Sequence, residues 1–499
     1  MITATQLYDH LTCPHRVAMD AFGDSTVRDA VNPFVQLLWE RGTLFERETI
    51  AKLQQPFVDL SGFRGDDKER ETRAAIANGS PLIYGGRLSD GDLLGEPDLL
   101  RREGGGYAAI DIKSGAGEEG GDDDTGEEGK PKKRYGVQVA LYTELLDRVG
   151  VSAGRYAYIW DIYGIETKYE FDVPLGPRTP PMSEIYEHTK TDVRATLART
   201  ATTEPALAAC CKLCVWRSAC RRAMDGTEDL TLLPELGRSK RDVLRPAIAN
   251  LRALAGANVE EYLENGGKKT TFKGIGPGTL AKFKARAILL TTDAAQPYLT
   301  LALPLLEGNP ELFFDIETDP LRDRCYLHGF IIRDGRNSAT ERFESVFSDD
   351  VTDAAEEDAF ARAIEIFRRY PQGLVVYYSA YERTEYRKLQ RKYPRVCSAD
   401  HIEALFADGR SFDLYSDGTR KRSEWPVNDF SIKTLAKHAG FNWRDSDPSG
   451  ASSIDWFHQW MKTRDQEIRQ RILDYNEDDC RAMRVVLDAM RQMEVRASG

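Results

Sequence analysis

Four of the chain's eight cysteines crowd into one stretch, Cys210, Cys211, Cys214 and Cys220. No other feature restricts the fold as much. From Cys211 the set reads C-x2-C-x5-C, and Cys13, in Leu11-Thr-Cys-Pro-His15, is the natural distant fourth ligand. In a reducing cytosol such a set points to a metal or cluster site rather than disulfides. Four thiolates hold zinc tetrahedrally or carry an iron–sulfur cluster, and thiolate chemistry alone does not separate the two. Either one closes a loop from residue 13 to residue 211, so the stretch between must fold with its ends together. Cys210 is a fifth thiol that competes with Cys211, and His15 reads as a surface residue. Cys325, Cys397 and Cys480 carry no pattern.

Inside that loop lies a strand–turn–strand with chemistry on it. Asp92-Leu-Leu-Gly-Glu-Pro-Asp-Leu-Leu100 ends one strand, Glu103-Gly-Gly-Gly106 turns, and Tyr107-Ala-Ala-Ile-Asp-Ile-Lys113 is the next. Strand side chains alternate faces, so Asp111 and Lys113 point the same way, with Asp98 across from them. Two carboxylates and an ammonium on one face suit metal-assisted phosphodiester cleavage. The acids hold a hard cation such as Mg²⁺ or Mn²⁺, and the lysine orients water or stabilises developing charge. Upstream, Arg41-Gly-Thr-Leu-Phe-Glu46 offers another carboxylate on a helix. Downstream, Gly136–Leu146 reads as an amphipathic helix with Gln138 and Tyr142 at i and i+4. Residues 114–134, a Gly-rich acidic run followed by a basic one, read as a flexible surface insertion.

A second constellation lies in the last third. Glu311-Leu-Phe-Phe-Asp-Ile-Glu-Thr318 is a buried strand ending in Asp315 and Glu317, again on one face. Ile472-Leu-Asp-Tyr-Asn-Glu-Asp-Asp-Cys480 opens a helix with Tyr475 and Asp479 one turn apart. Between them Leu374–Glu382 runs from a strand into a loop ending in an acid, and Asp413 is a reserve candidate. Four acids gathered this way can hold two metal ions ~4 Å apart, which activate water and stabilise the leaving oxygen.

The ordered set Glu46, Gly-x-x-Asp98, Asp111-x-Lys113 and Gln138-x-x-x-Tyr142 resembles the RecB-like branch of the PD-(D/E)xK nucleases. The resemblance implies Glu46, Asp98 and Asp111 as metal ligands and Lys113 as catalytic. It gives Gln138 and Tyr142 the work of shaping the site and contacting DNA. The cysteines look like those of the iron–sulfur RecB-type nucleases, AddB-like and CRISPR-adaptation enzymes among them. That implies a structural 4Fe–4S cluster on Cys13, Cys211, Cys214 and Cys220, with Zn²⁺ the alternative. The second constellation resembles the DEDD exonucleases of the ribonuclease H-like fold, in their tyrosine branch. It implies metal on Asp315, Glu317, Glu382 and Asp479, and Tyr475 orienting the attacking water. Ser431–Phe441 resembles the helix those domains place before their last motif. Gly274-Ile-Gly-Pro-Gly278 resembles the hairpin of a helix-hairpin-helix, whose backbone N–H groups at Gly274, Gly276 and Gly278 would meet a DNA phosphate. Lys273, Lys282 and Lys284 would add charge there, and Leu236–Lys240 is a degenerate first copy. Two departures stand out: Glu382 where the family has Asp, and the long acidic insertion between Lys113 and Gln138.

At about 150 residues per domain, 499 residues suggest roughly three. The expectation is a multidomain α/β chain. Residues 1–225 form a restriction-endonuclease-like PD-(D/E)xK domain with its cluster, 226–298 a helix-hairpin-helix-like connector, and 299–499 a ribonuclease H-like domain. The expected function is a metal-dependent DNA nuclease, an exonuclease on single-stranded or processed ends in repair, recombination or defence. A helicase is a candidate partner. Two other readings stay open: a non-catalytic DNA-end-binding or scaffold subunit for a helicase, and an RNA-directed exonuclease. The N-terminus lacks a signal peptide's basic and apolar regions, and no apolar run approaches ~18 residues. The expected location is cytoplasmic, with no membrane partner. The net charge of −12 argues against indiscriminate polyanion binding. However, seven acids fall between Glu118 and Glu128 and others in the two acid sites, where bound divalent ions would reverse the local sign.

Overall fold

The computed structural model describes residues 1–119, 129–176, 179–304 and 307–496. It divides into two compact units, Met1–Pro205 with Ala209–Cys220, and Ala206–Ala208 with Arg221–Gly499. Among the described residues no helix is long and apolar enough to cross a membrane.

The first unit is built on a six-stranded mixed sheet. Its order is Glu166–Glu170, Tyr156–Trp160, Gly106–Ile112, Leu99–Glu103, Leu82–Tyr84, Val58–Asp59. Every residue of Gly106–Ile112 is buried, as a strand covered on both faces requires. Tyr107 and Ala109 face a core shared with Val137, Leu141 and Leu145 of the helix Lys133–Arg148. Ile110 and Ile112 face the opposite way, onto Ile50 and Phe45 of the helix Pro33–Ala51. The hairpin register pairs Leu99 with Ile110, which brings Asp98 to the level of Asp111. The ends of the unit meet, as loop closure demands. Asp29 N–H donates to the Val215 carbonyl at 2.7 Å and Ser218 N–H to Asp29 at 2.8 Å, while Trp216 Nε1 donates to Asp20 at 2.7 Å.

The stretch read as a flexible insertion is ordered at both ends. Glu118–Glu119 pairs with Lys130–Pro131 in a two-stranded ribbon, and Lys133 already begins a helix. A backbone ladder needs no apolar side chains, so composition did not show it. The middle of the insertion, 120–128, lies outside the described residues.

The second unit joins the connector to the C-terminal sheet. The helices Gly237–Leu244, Leu251–Gly256 and Pro277–Thr291 are tied to that sheet's surroundings by Arg286, which is fully buried. It donates to Glu424 at 2.6 Å, the Pro234 carbonyl at 2.8 Å and Glu235 at 3.0 Å. The sequence reading set 226–298 apart; in the structure these residues share one compact unit with the C-terminal sheet. The five-stranded sheet runs Arg342–Phe347, Arg324–Arg333, Glu311–Asp319, Leu374–Tyr377, Ser411–Asp413. The first three strands are antiparallel and the last two run parallel to the central one. Phe314 and Ile316 face the helices Asp353–Arg369 and Tyr381–Lys392. Phe313 faces the other core, with Phe457 of the helix Gly450–Thr463 and Met483 of the helix Gln466–Gln492. Period-two alternation therefore aims Asp315 and Glu317 at the last helix.

Candidate functional site

The C-terminal acids assemble most tightly. Asp315, Glu317 and Asp479 offer ligand oxygens that all lie within 4.8 Å of one another, the one such group of three among the described residues. The strand supplies the first two and the long helix the third. Tyr475 and Asp479, one turn apart, both face the cluster, as their helical spacing requires. Asn476 Nδ2 donates to Asp315 Oδ2 at 2.7 Å. This approach needs a glycine on the neighbouring strand: Gly329 pairs with Asp315, and a Cβ there would lie 1.6 Å from Asn476 Oδ1. Trp443 Nε1 donates to Asp479 Oδ1 at 2.6 Å. Lys433 Nζ lies 3.3 and 3.2 Å from the two Asp479 oxygens and 2.9 Å from the Tyr475 hydroxyl.

Burial dominates the electrostatics of this cluster. It pushes the Glu317 carboxyl up to about 8, with Asp479 adding to the shift and hydrogen bonds from Ser453 and Asn476 opposing it. Asp315 is held well above the carboxylate range by burial first, then by Asp479, Glu317 and Glu382. Crowded carboxylates that resist ionising are relieved by a cation, so this donor set fits a divalent metal. Glu382, at the start of the helix Tyr381–Lys392, is 3% exposed. Burial, and then Asp413, raise its carboxyl as well, and its Oε2 has no hydrogen-bond partner. The reserve candidate Asp413 is committed elsewhere. Its Oδ1 accepts from the backbone N–H groups of Ser379, Tyr415 and Ser416 at 3.2, 3.0 and 2.8 Å, capping the next helical turn.

The N-terminal acids form a smaller site. Lys113 Nζ lies 2.5 Å from Asp111 Oδ2, and Asp98 Oδ2 accepts from the Ile112 N–H at 2.6 Å. Burial, then Asp111, holds the Asp98 carboxyl well above its ordinary value, while Lys113 draws it back. Burial presses on the Lys113 ammonium, yet Asp111 and Asp98 overcome it and raise its pKa. Tyr142 is buried, and its phenol is pushed up by burial and then by Asp111 and Asp98. Gln138 is buried with its Oε1 unbonded. The helix carrying both presses on Gly95, where a Cβ would lie 2.8 Å from the Tyr142 ring and from Leu145. Glu46 comes from the helix on the sheet's other face and accepts from the Tyr84 hydroxyl at 3.0 Å. It reaches Asp98 only as a lesser repulsion, and among the described residues no three-acid group forms here.

The cysteine segment and Cys13 converge without forming a compact group: no three of their sulfurs lie within 4.8 Å of one another among the described residues. A hydrogen bond with Cys211 and burial, then Cys211, Cys13 and Cys214, raise the Cys210 thiol, so these sulfurs share one neighbourhood. The Cys214 sulfur accepts the Trp216 N–H at 3.5 Å. His15 Nδ1 is 2.9 Å from the Thr203 hydroxyl.

In the connector, Gly274 has φ +79°, which favours glycine. Gly276 caps the helix Pro277–Thr291, and a Cβ at Gly276 or Gly278 would meet nothing within 4 Å. Packing therefore explains the first glycine through its backbone angle and leaves the other two unexplained. Lys282 turns toward its own fold, 3.8 Å from both Glu235 and Glu424; Lys273 is exposed.

Sequence reasoning missed Lys433, Asn476, Trp443 and Gly329. Asn476 was within reach, being the residue after Tyr475 on a helix already assigned to the site.

Two family models match the chain. One, described as the PD-(D/E)XK nuclease superfamily, matches residues 9–221; the other, the RNase H superfamily, matches residues 312–491. No curated protein and no solved structure matches it.

Proposed function

From a chain that joins an N-terminal PD-(D/E)XK nuclease domain to a C-terminal RNase H-like domain, we infer a metal-dependent DNA exonuclease acting on single-stranded or processed ends. The observation that carries this reading is the buried group Asp315, Glu317 and Asp479 within 4.8 Å; Glu382 lies outside that group but acts on Asp315 electrostatically. Bound Mg²⁺ or Mn²⁺ would supply Lewis-acid stabilisation and an activated water. Asp315, Glu317, Glu382 and Asp479 would line the metal site, and the Tyr475 hydroxyl would orient the attacking water. At the N-terminal site Asp98 and Asp111 hold metal, with Glu46 an outer contributor. Lys113 stabilises developing charge, while Gln138 and Tyr142 shape the pocket.

The cysteines serve as a structural clamp. The C-x2-C-x5-C order of Cys211, Cys214 and Cys220 with the distant Cys13 favours a 4Fe–4S cluster, with Zn²⁺ the alternative. Open space at Gly276 and Gly278 supports close approach of a DNA phosphate to the backbone of this hairpin. A helicase that delivers ends, in the reducing cytosol, fits this reading.

The test uses the full chain on end-labelled single-stranded and duplex DNA, with matched RNA, in Mg²⁺. Asp98→Ala with Lys113→Ala should remove one cleavage activity, and Asp315→Asn with Glu317→Gln the other. Cleavage that survives all four substitutions, or is equally fast with chelator, would sink the reading. Preference for RNA would correct the substrate. Colourless protein without iron and sulfide would remove the cluster.

A further inference from the structure

Lys433 sits where a metal-binding carboxylate would be expected to keep its oxygens open. Its ammonium has three donors, and three acceptors surround it: both Asp479 oxygens at 3.3 and 3.2 Å and the Tyr475 hydroxyl at 2.9 Å. The lysine is therefore saturated by this site alone. It is fixed from several sides, by stacking over the Tyr475 and Trp443 rings at 4.9 and 5.5 Å, and by the helix Ile432–His438, capped by the Ser431 side chain.

The acceptor count on Asp479 points the same way. An ionised carboxylate has about four lone-pair positions. Lys433 engages both oxygens, Trp443 takes a further position on Oδ1 at 2.6 Å and the Tyr475 hydroxyl another, which leaves about none. Other acceptors in the neighbourhood stay open. Glu382 Oε2 is buried and unbonded, and Asp315 gives up one oxygen to Asn476. These open acceptors suit one ion held by Asp315 and Glu317, with Glu382 close enough to act on Asp315 and Asp479 already carrying a cation.

We propose that this C-terminal site takes a single divalent ion, and that Lys433 is its second cation, seated on Asp479 and holding the Tyr475 hydroxyl in place. The ammonium donates to the Tyr475 oxygen while the Tyr475 hydroxyl hydrogen-bonds to Asp479, so lysine, phenol and carboxylate hold one another in place. Lys433 is thus a positioning residue for Tyr475 and a built-in competitor for a second ion. The site then uses the device of the N-terminal one, where Lys113 sits on Asp111. The proposal rests on the nuclease reading of the C-terminal acids.

The experiment counts ions. In a full chain carrying Asp111→Asn to silence the N-terminal site, Mn²⁺ is titrated and followed by the electron paramagnetic resonance of the free ion. One Mn²⁺ is expected with Lys433 present, and two with Lys433→Met, the second at least about tenfold tighter than any second site in the Lys433 chain. Lys433→Arg, which keeps a cation, should return the count to one and guards against a Met variant that folds poorly. Two ions in the Lys433 chain, or one ion in both Lys433 and Lys433→Met chains, would overturn the role of Lys433 while leaving the metal site standing. No Mn²⁺ in either, together with no cleavage, would instead bring down the nuclease reading of this site.

Discussion

The two acid sites solve one problem with opposite sequence economy. In the N-terminal site the two carboxylates and the lysine come from a single hairpin, Asp98 facing Asp111 and Lys113 two residues on. In the C-terminal site Asp315 and Glu317 share a strand, but Asp479 and its lysine come from two other elements, Lys433 lying 46 residues from the acid it holds. The first arrangement is local and survives as long as the hairpin does. The second exists only once three elements have packed. A cation beside a buried acid is therefore a short motif in one site and a tertiary product in the other.

The sharpest way to break this comparison is to remove one lysine at a time. Lys113→Ala should lower the N-terminal activity about 10²- to 10³-fold, the scale for losing one preorganised charge-stabilising donor. Lys433→Met should cost that site's turnover less, because it also opens Asp479 to metal; initial rates on labelled DNA with the other site silenced check both. Next come the glycines that admit each site's helix. Gly329→Ala drives a methyl into Asn476 and should cost about 1–3 kcal/mol, read by denaturant unfolding, with loss of C-terminal cleavage. Gly95→Ala should cost a similar amount at Tyr142 and strike only the other activity. A crossed pattern would show that the two sites are not independent.

Both sites carry buried carboxyls raised above the ordinary range. The folded chain holds Glu317 at about 8, above the ordinary 4.5 or so, so its contribution to stability is present below that ordinary value and is lost as pH rises through about 8. In chelator, the melting temperature should fall as pH climbs from about 5 to 8, less steeply in Glu317→Gln, and Mg²⁺ should restore it. A flat profile would mean that burial and Asp479 do not raise Glu317 in the folded chain. The smallest effect is expected at the hairpin. Gly278→Ala should add about 0.5–1 kcal/mol of stability, since alanine suits an open helix start, while weakening DNA binding in a filter or anisotropy assay.

Distances along the chain decide how much of this was legible in advance. Asp315 with Glu317 and Asp111 with Lys113 obey the two-residue period of a strand. Tyr475 with Asp479 obeys the helical turn. Such pairs need only local geometry, and the structure places each on one face. Glu46 fitted an order of motifs, but order does not say which face of a sheet a helix will cover, and its helix packs on the far one. Lys433 and Trp443 reach Asp479 only through tertiary packing, which no periodicity encodes. Gly329 looked like an ordinary strand residue until Asn476 was seen pressing on it. The connector, marked off by its glycines, gave no sign that Arg286 would bind it to Glu424.

That buried pair has a bearing on inheritance. Arg286 and Glu424 are 1% and 5% exposed in their side chains, and removing either partner of such a pair costs about 3–5 kcal/mol. A recombination event that carried off residues from 299 onward would strand Glu424 without its guanidinium. Transferred as 221–499, the same segment keeps both halves of the lock. Lineages that shuffle this nuclease region among other partners should therefore break the gene ahead of the connector and not behind it.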